Sequence, residues 1–191
     1  MWGMRPPGRR CDAMRGELLT GDRQLLEDLW HRGWGHVTAA KILAQYSKAE
    51  GQAKQVADPD HYTFNGPQSP SLHLLIGYGM ELLLKVAVLL HGGREGDTKA
   101  AGHDLVKALD RAEDLGFRCS TPQVRFVAEN LREMHLNHRF RYGGADQVTM
   151  PSLPISLSVL DALVIQLGEA IYGCPFGEMA LEINDGGDPD D

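Results

Sequence analysis

Residues 71–91 read SLHLLIGYGMELLLKVAVLLH, and this stretch decides the fold class. Wound as a helix, it carries apolar side chains on nearly every side, which is typical of a helix surrounded by other helices. Ser71 is a suitable N-cap, and Gly92 and Gly93 end the helix. The stretch therefore predicts a central helix over about residues 72–91.

Two details of this central helix bear on its surroundings. Glu81 and Lys85 stand four residues apart with the acid first, which is the favourable order for an ion pair on one helix face. We expect that pair to be either solvated or placed between helices. Gly77 and Gly79 lie inside the helix, where small residues predict close packing of a neighbouring helix.

Further helices are predicted on both sides, separated by glycines and prolines. Apolar residues recur at helical spacing, and strand-like alternation is nearly absent. Residues 58–70 contain three prolines and are expected to form a loop. The expected helices cover about residues 21–55 (with a break at the Gly-Trp-Gly of 33–35), 103–115, 121–138 and 156–172. Because short connections favour antiparallel neighbours, the predicted fold class is all-α, an up-down bundle of four or five helices.

The length of 191 residues suits one helical domain, which we place over about residues 21–175. Residues 1–20 are expected to form a flexible leader, since the apolar run of a secretory signal does not follow their arginines. Residues 182–191 are expected to form a disordered acidic tail. That tail holds five acids, so the net charge of −7 leaves the rest of the chain near neutral.

Cysteine usage and hydropathy predict a soluble, cytoplasmic protein. The three cysteines are scattered and include no C-x-x-C, so they indicate neither a disulfide framework nor a zinc ribbon, and a reducing compartment fits best. The longest apolar stretch, residues 82–90, contains Lys85 and is too short to span a bilayer. We therefore expect no membrane partner.

Residues 131–144 read LREMHLNHRFRYGG and concentrate cationic and aromatic side chains in an otherwise acidic chain. Arginine offers a fixed fork of donors to phosphate, histidine titrates near neutrality, and an aromatic ring stacks on a base. The segment therefore predicts a phosphate or nucleotide site. Its candidate residues are Arg132, His135, His138, Arg139, Arg141 and Tyr142.

Two other interpretations of this segment stay open. Basic side chains in the last turn of a helix offset the negative end of its dipole without any further function. His135 and His138 form an H-x-x-H pair, but a metal needs more ligands and the neighbouring sequence supplies no obvious set. Glycine-rich phosphate loops, H-E-x-x-H and G-x-S-x-G are absent from the sequence. We therefore predict no metal and no cofactor.

Three short motifs together resemble the pattern of the HEPN family. They are Glu81-Leu-Leu-Leu-Lys85 in the central helix, Gly102-His-Asp-Leu105 at the start of the next helix, and Arg132-x5-His138 near the end of the following one. That family shows an E-L-x-L-K helix, a G-H-D-L helix start and an R-x(4–6)-H motif. The resemblance covers roughly residues 70–172.

The resemblance implies a helical bundle of a kind that commonly forms homodimers. Many HEPN proteins are metal-independent endoribonucleases of toxin–antitoxin, antiviral or RNA-processing systems, so RNA and an antitoxin or nucleotidyltransferase are the implied partners. Arg132 would stabilise the charge of the phosphorane, and His138 would act as general acid or base at the dimer cleft. Other HEPN proteins are non-catalytic modules that bind nucleotides or proteins, and this alternative stays open.

Helix geometry sets a condition on the catalytic interpretation. Six residues along a continuous helix turn a side chain by about 240° net, so Arg132 and His138 would point to different faces. Arg132, His135 and Arg139 would share one face. Catalysis therefore requires that the helix end before His138 or that a dimer bring the pair together. Glu133 also stands where active HEPN proteins often carry asparagine, aspartate or histidine.

His103 and Asp104 are expected to have structural roles. Asp104 falls in the first turn of its helix, where a negative charge is favourable. His103 is expected to cap that helix or to lie between helices.

Overall fold

The computed structural model describes residues 20–137 and 150–177. Over these ranges the chain forms seven helices and no strand, which confirms the predicted all-α class. The helices are α1 (Thr20–Ala53), α2 (Pro59–Asn65), α3 (Ser69–Leu90), α4 (Glu95–Ala101), α5 (Leu105–Asp114), α6 (Val124–Leu136) and α7 (Leu153–Tyr172). The expected acidic tail and all but the last residue of the expected leader lie outside the described residues.

The central position of α3 is confirmed. Its buried residues include Leu72, Met80, Leu83, Leu84 and Val86, which lie on different sides of the helix. Helices α1, α5 and α7 have the most extensive packing on it. A fully buried leucine or methionine contributes about 1.5–3 kcal/mol of transfer free energy. Because α3 carries several such residues, its side chains form a large part of the hydrophobic core.

The first helix is continuous, so the predicted break at residues 33–35 was wrong. Gly33 lies within α1 without interrupting it. Its lack of a side chain allows α1 to approach α3 closely. A Cβ atom on Gly33 would lie only 3.0 Å from Cγ of Leu83, and one on Gly79 would lie 3.2 Å from Cγ2 of Val37. The prediction that Gly79 permits close packing is therefore confirmed.

The region expected to be a loop, residues 58–70, is mostly helical. Asp58 caps α2, since its side chain accepts hydrogen bonds from the backbone N–H groups of Asp60 and His61. Pro59 then lies in the first turn of α2, where a proline costs no hydrogen bond. Helix α3 begins at Ser69, so Ser71 is not its N-cap. Two of the three prolines interpreted as breakers, Pro59 and Pro70, therefore lie in the first turn of a helix.

The number of helices also exceeds the predicted four or five. Helix α4 was not predicted, and it has seven residues, as α2 does. The other five helices have ten residues or more. Short helices lack the two or three turns over which apolar periodicity becomes visible, which explains why the sequence pattern did not show them.

Two described helices, α3 and α7, are long and apolar enough to cross a bilayer by length and composition. The prediction from sequence considered only residues 82–90, whereas α3 has 22 residues. In α3, 67% of the most apolar window is buried inside the protein, and in α7 the share is 44%. A core helix passes the same test as a membrane span, and α3 lies at the centre of the bundle.

Candidate functional site

Helices α3 and α6 and the turn between α4 and α5 bring four polar side chains together. They are Glu81 and Lys85 on α3, His103 in the turn, and His135 in the last turn of α6, and we call them the Glu81 cluster. Oε2 of Glu81 lies 2.9 Å from Nδ1 of His103 and 2.7 Å from Nε2 of His135. Nζ of Lys85 donates to Oε1 at 2.6 Å. Because an ionised carboxylate only accepts, both imidazole nitrogens donate to it.

Burial differs strongly among these four residues. The side chains of Glu81 and His135 are 5% and 2% exposed, whereas that of His103 is 46% exposed. Burial opposes ionisation of Glu81, but the hydrogen bonds from His135, Lys85 and His103 outweigh it and lower the pKa of the carboxyl to about 2. Glu81 is therefore a buried carboxylate whose negative charge is stabilised by three hydrogen-bond donors.

The contact between α3 and α6 depends on a glycine. Nδ1 of His135 lies so close to α3 that a Cβ atom on Gly77 would be 2.5 Å from it. This Nδ1 is buried and has no hydrogen-bond partner among the residues that the structure describes. The Tyr78 ring meets the His135 ring edge-on at 5.1 Å between centroids. The prediction of close packing at Gly77 is therefore confirmed, with His135 as the group that it admits.

A second ion pair lies beside the Glu81 cluster. Asp104 is the N-cap of α5, and its Oδ1 accepts a hydrogen bond from the backbone N–H of Lys107 at 3.1 Å. Nε of Arg132 donates to Oδ1 at 2.8 Å and Nη2 donates to Oδ2 at 2.6 Å, which is a bidentate fork. Burial raises the pKa of Asp104, but the hydrogen bonds and charge of Arg132, together with the backbone N–H groups of Lys107 and Val106, outweigh it and lower that pKa below its ordinary value.

The structure therefore brings six of the predicted residues into one site. His103 and Asp104 are neighbours in the chain, while Arg132 and His135 lie one turn apart on the same face of α6. That shared face matches the prediction from helix geometry. His135, assigned from sequence to phosphate binding, is buried against Glu81 instead of lying on the surface. The ligation of one carboxylate by both histidines was not predicted.

The other predicted site residues, His138, Arg139, Arg141 and Tyr142, lie outside the described residues. The helix that leads to them ends at Leu136, and the backbone N–H of its C-cap, Asn137, donates to the carbonyls of Glu133 and His135. The end of α6 therefore precedes His138, which is one of the two conditions for the catalytic interpretation.

No protein-family model, curated protein or solved structure matches this chain. The HEPN resemblance therefore rests on the three short motifs alone.

Proposed function

We propose that this chain is a HEPN-like up-down helical bundle that acts in the cytoplasm as a homodimeric, metal-independent endoribonuclease. The observation that supports this most is the meeting of the three motifs in one site. Glu81 and Lys85, His103 and Asp104, and Arg132 are far apart in sequence, and direct contacts join them. Three separate motifs whose residues meet in one site are a more specific signal than any one of the motifs alone.

Arg132 is the proposed phosphate-binding group. Its guanidinium has five N–H donors, of which Asp104 accepts one from Nε and one from Nη2. The side chain is 49% exposed, so its remaining donors can reach a phosphodiester. In this arrangement Asp104 orients the guanidinium, and the outer edge of the fork stabilises the charge that develops on the phosphorane.

His138 is the proposed acid–base group. The ribose 2′-OH attacks the adjacent phosphate, His138 moves the proton, and the 5′-oxygen leaves. The end of α6 at Leu136 supports this role, because a side chain beyond the helix end is not bound to the 240° offset of a continuous helix. Two parts of this proposal come from the resemblance to the HEPN family. They are the homodimer cleft and an antitoxin or nucleotidyltransferase as the partner.

The alternative function is a non-catalytic module that binds a nucleotide or a protein. It is favoured by the charges around Arg132. Asp104 already occupies one edge of the guanidinium, and Glu133 follows Arg132 directly in the chain. Both carboxylates repel a phosphate, which weakens an RNA site and, within this alternative, favours a protein over a nucleotide as the ligand.

Incubation of the purified chain with a mixed RNA pool and a chelator tests the enzyme hypothesis. We expect the unaltered protein to cleave RNA, and Arg132→Gln and His138→Ala to lose that cleavage. Arg125→Gln is the matched control, since Arg125 also lies on α6 and pairs with acids of α5, Asp110 and Glu113. Equal cleavage by all four proteins means a contaminant, and cleavage by none leaves the binding module.

A further inference from the structure

We propose that Glu81, His103 and His135 form a binding site for one divalent transition-metal ion of the zinc class. This site is distinct from the RNA chemistry and goes beyond the proposed function. The ligand atoms are one carboxylate oxygen of Glu81, Nδ1 of His103 and Nε2 of His135. All three lie within 4.8 Å of one another.

The distances between these atoms are close to those of a metal site. Zinc binds nitrogen and oxygen at about 2.0–2.1 Å, which places the ligand atoms of a tetrahedron roughly 3.3 Å apart. The carboxylate oxygen now lies 2.7 Å from His135 and 2.9 Å from His103. Both ring nitrogens face Oε2 and lie within 4.8 Å of each other, so small outward shifts of the rings from Oε2, with the two nitrogens drawn closer together, admit an ion between the three atoms.

The ligand types select the class of metal. Two imidazoles and one carboxylate suit zinc and its first-row neighbours, whereas magnesium and calcium prefer oxygen ligands throughout. Three protein ligands leave a fourth position for water. Because His103 is the exposed member of the set, that position and the path for the ion lie on its side.

The second oxygen of Glu81 has its own partner. Nζ of Lys85 donates to Oε1 at 2.6 Å, which fixes the carboxylate and leaves Oε2 for the ion. Groups that hold a metal-ligating carboxylate in this way orient it and support the site. The ligands come from α3, α6 and the α4–α5 turn, so the ion would join three elements that carry the proposed RNA site.

Ion binding adds the two positive charges of the ion, and it moves two protons without changing the charge of any protein group. Each imidazole now carries a proton on the nitrogen that faces Glu81, and ligation through that nitrogen moves the proton to the other ring nitrogen by exchange with water. For His135 the other nitrogen is Nδ1, which has no partner among the described residues in either form. The free-energy cost of leaving Nδ1 without a hydrogen-bond partner is therefore present both with and without the ion.

This set differs from the His135/His138 pair considered in the sequence. The further ligands are supplied by residues 54 and 32 positions before His135, with Glu81 hydrogen-bonded across 54 positions. Sequence spacing alone does not bring such residues together. The competing explanation is that the same side chains form a hydrogen-bonded network without an ion, and binding experiments separate the two.

Calorimetric titration of the chelator-treated, dialysed 191-residue chain with Zn²⁺ tests the site. We expect one ion per chain, and His103→Ala to weaken binding by about tenfold or more, since loss of even a supporting group costs about 10–100-fold. His103 is the chosen residue because its exposed ring can be removed without opening the core. His61→Ala, which removes an exposed histidine on α2, is the control and should bind as the unaltered protein does.

Co²⁺ provides a second readout. Bound by two histidines and a carboxylate, it should give the visible absorption bands of a four-coordinate ion, and excess Zn²⁺ but not Mg²⁺ should abolish them. His103→Ala should lose the bands and His61→Ala should keep them. Absence of stoichiometric binding, or equal binding by the protein and His103→Ala, would overturn the proposal. Neither readout depends on RNA cleavage, so failure of the ribonuclease hypothesis leaves this test intact.

Discussion

Glu81 and Asp104 are the two carboxylates of the site, and their surroundings differ in burial and in hydrogen-bond partners. Glu81 lies in the middle of α3, almost fully buried, and accepts hydrogen bonds from Lys85 and two histidines. Asp104 lies at the start of α5 and accepts the fork of Arg132, a side chain that is half exposed. Glu81 joins α3 to α6 and to the α4–α5 turn, whereas Asp104 holds the guanidinium of Arg132 at the surface.

Removing Glu81 should therefore have the largest effect. Glu81→Ala leaves the buried N–H of His135 and the largely buried ammonium of Lys85 without an acceptor. Loss of one partner of a buried ion pair costs about 3–5 kcal/mol, and we expect the lower end, since Lys85 is 18% exposed and can turn to water. Urea denaturation followed by circular dichroism measures this loss.

The matched control is Glu95→Ala on α4. Glu95 also pairs with a lysine four residues later, Lys99, but both side chains are exposed. A surface pair of this kind contributes at most about 1 kcal/mol. If the two alanine variants lose similar stability, Glu81 is not a structural centre and the comparison with Asp104 fails.

Filling the space at Gly77 should have the next largest effect. In Gly77→Ala the new methyl group would lie 2.5 Å from Nδ1 of His135, so the ring must move away from Glu81. Overpacking of a core costs about 1–3 kcal/mol. Gly35→Ala on α1 should do the opposite, because nothing lies within 4 Å of its new methyl group and alanine favours a helix by about 0.5–1 kcal/mol. Thermal unfolding of both variants should show shifts of opposite sign.

The fold was predictable where the local pattern and the tertiary structure agree. The central helix was predicted because α3 is apolar on all sides, and the ion pair of Glu81 with Lys85 follows from a four-residue step. Gly33 was interpreted as a breaker, since its contact with Leu83 is visible only when α1 and α3 are packed. Pro59 was misinterpreted for a similar reason, because a proline marks a helix start as well as a loop.

The site was predictable as a set of residues and not as a set of contacts. His103 and His135 bind one carboxylate across 22 and 54 positions of the chain, and Arg132 binds Asp104 across 28. Such pairs depend on how the helices are arranged, which periodicity does not specify. Arg132 and His135 were correctly placed on one face, because a three-residue step within a single helix is a local property.

Asp104→Asn tests the other side of the comparison. Asparagine still caps α5, so we expect a folded protein that loses much less stability than Glu81→Ala does. If the proposed function holds, this variant loses RNA-cleavage activity, because the Arg132 guanidinium without its carboxylate partner no longer has a fixed position. A misplaced catalytic group lowers cleavage by up to about 100-fold. Unchanged RNA cleavage at unchanged stability would show that Asp104 does not orient Arg132.

The smallest effect should come from a third buried ionisable group, His73 on the same helix as Glu81. Burial lowers the pKa of its imidazole below the ordinary value of 6.5, more than its contact with the Phe64 carbonyl raises it. The unfolded chain then binds the proton more readily than the folded one, so stability is full above the unfolded value and decreases as the pH falls towards the folded value.

Denaturation at about pH 7.5 and about pH 5.5 should therefore show a loss of stability in acid that His73→Gln reduces. His61→Ala, which changes an exposed histidine, should keep the full loss. Equal acid sensitivity of all three proteins would mean that His73 is protonated without penalty. In that case burial on α3 does not by itself exclude charge, and Glu81 would not need its three donors to remain ionised.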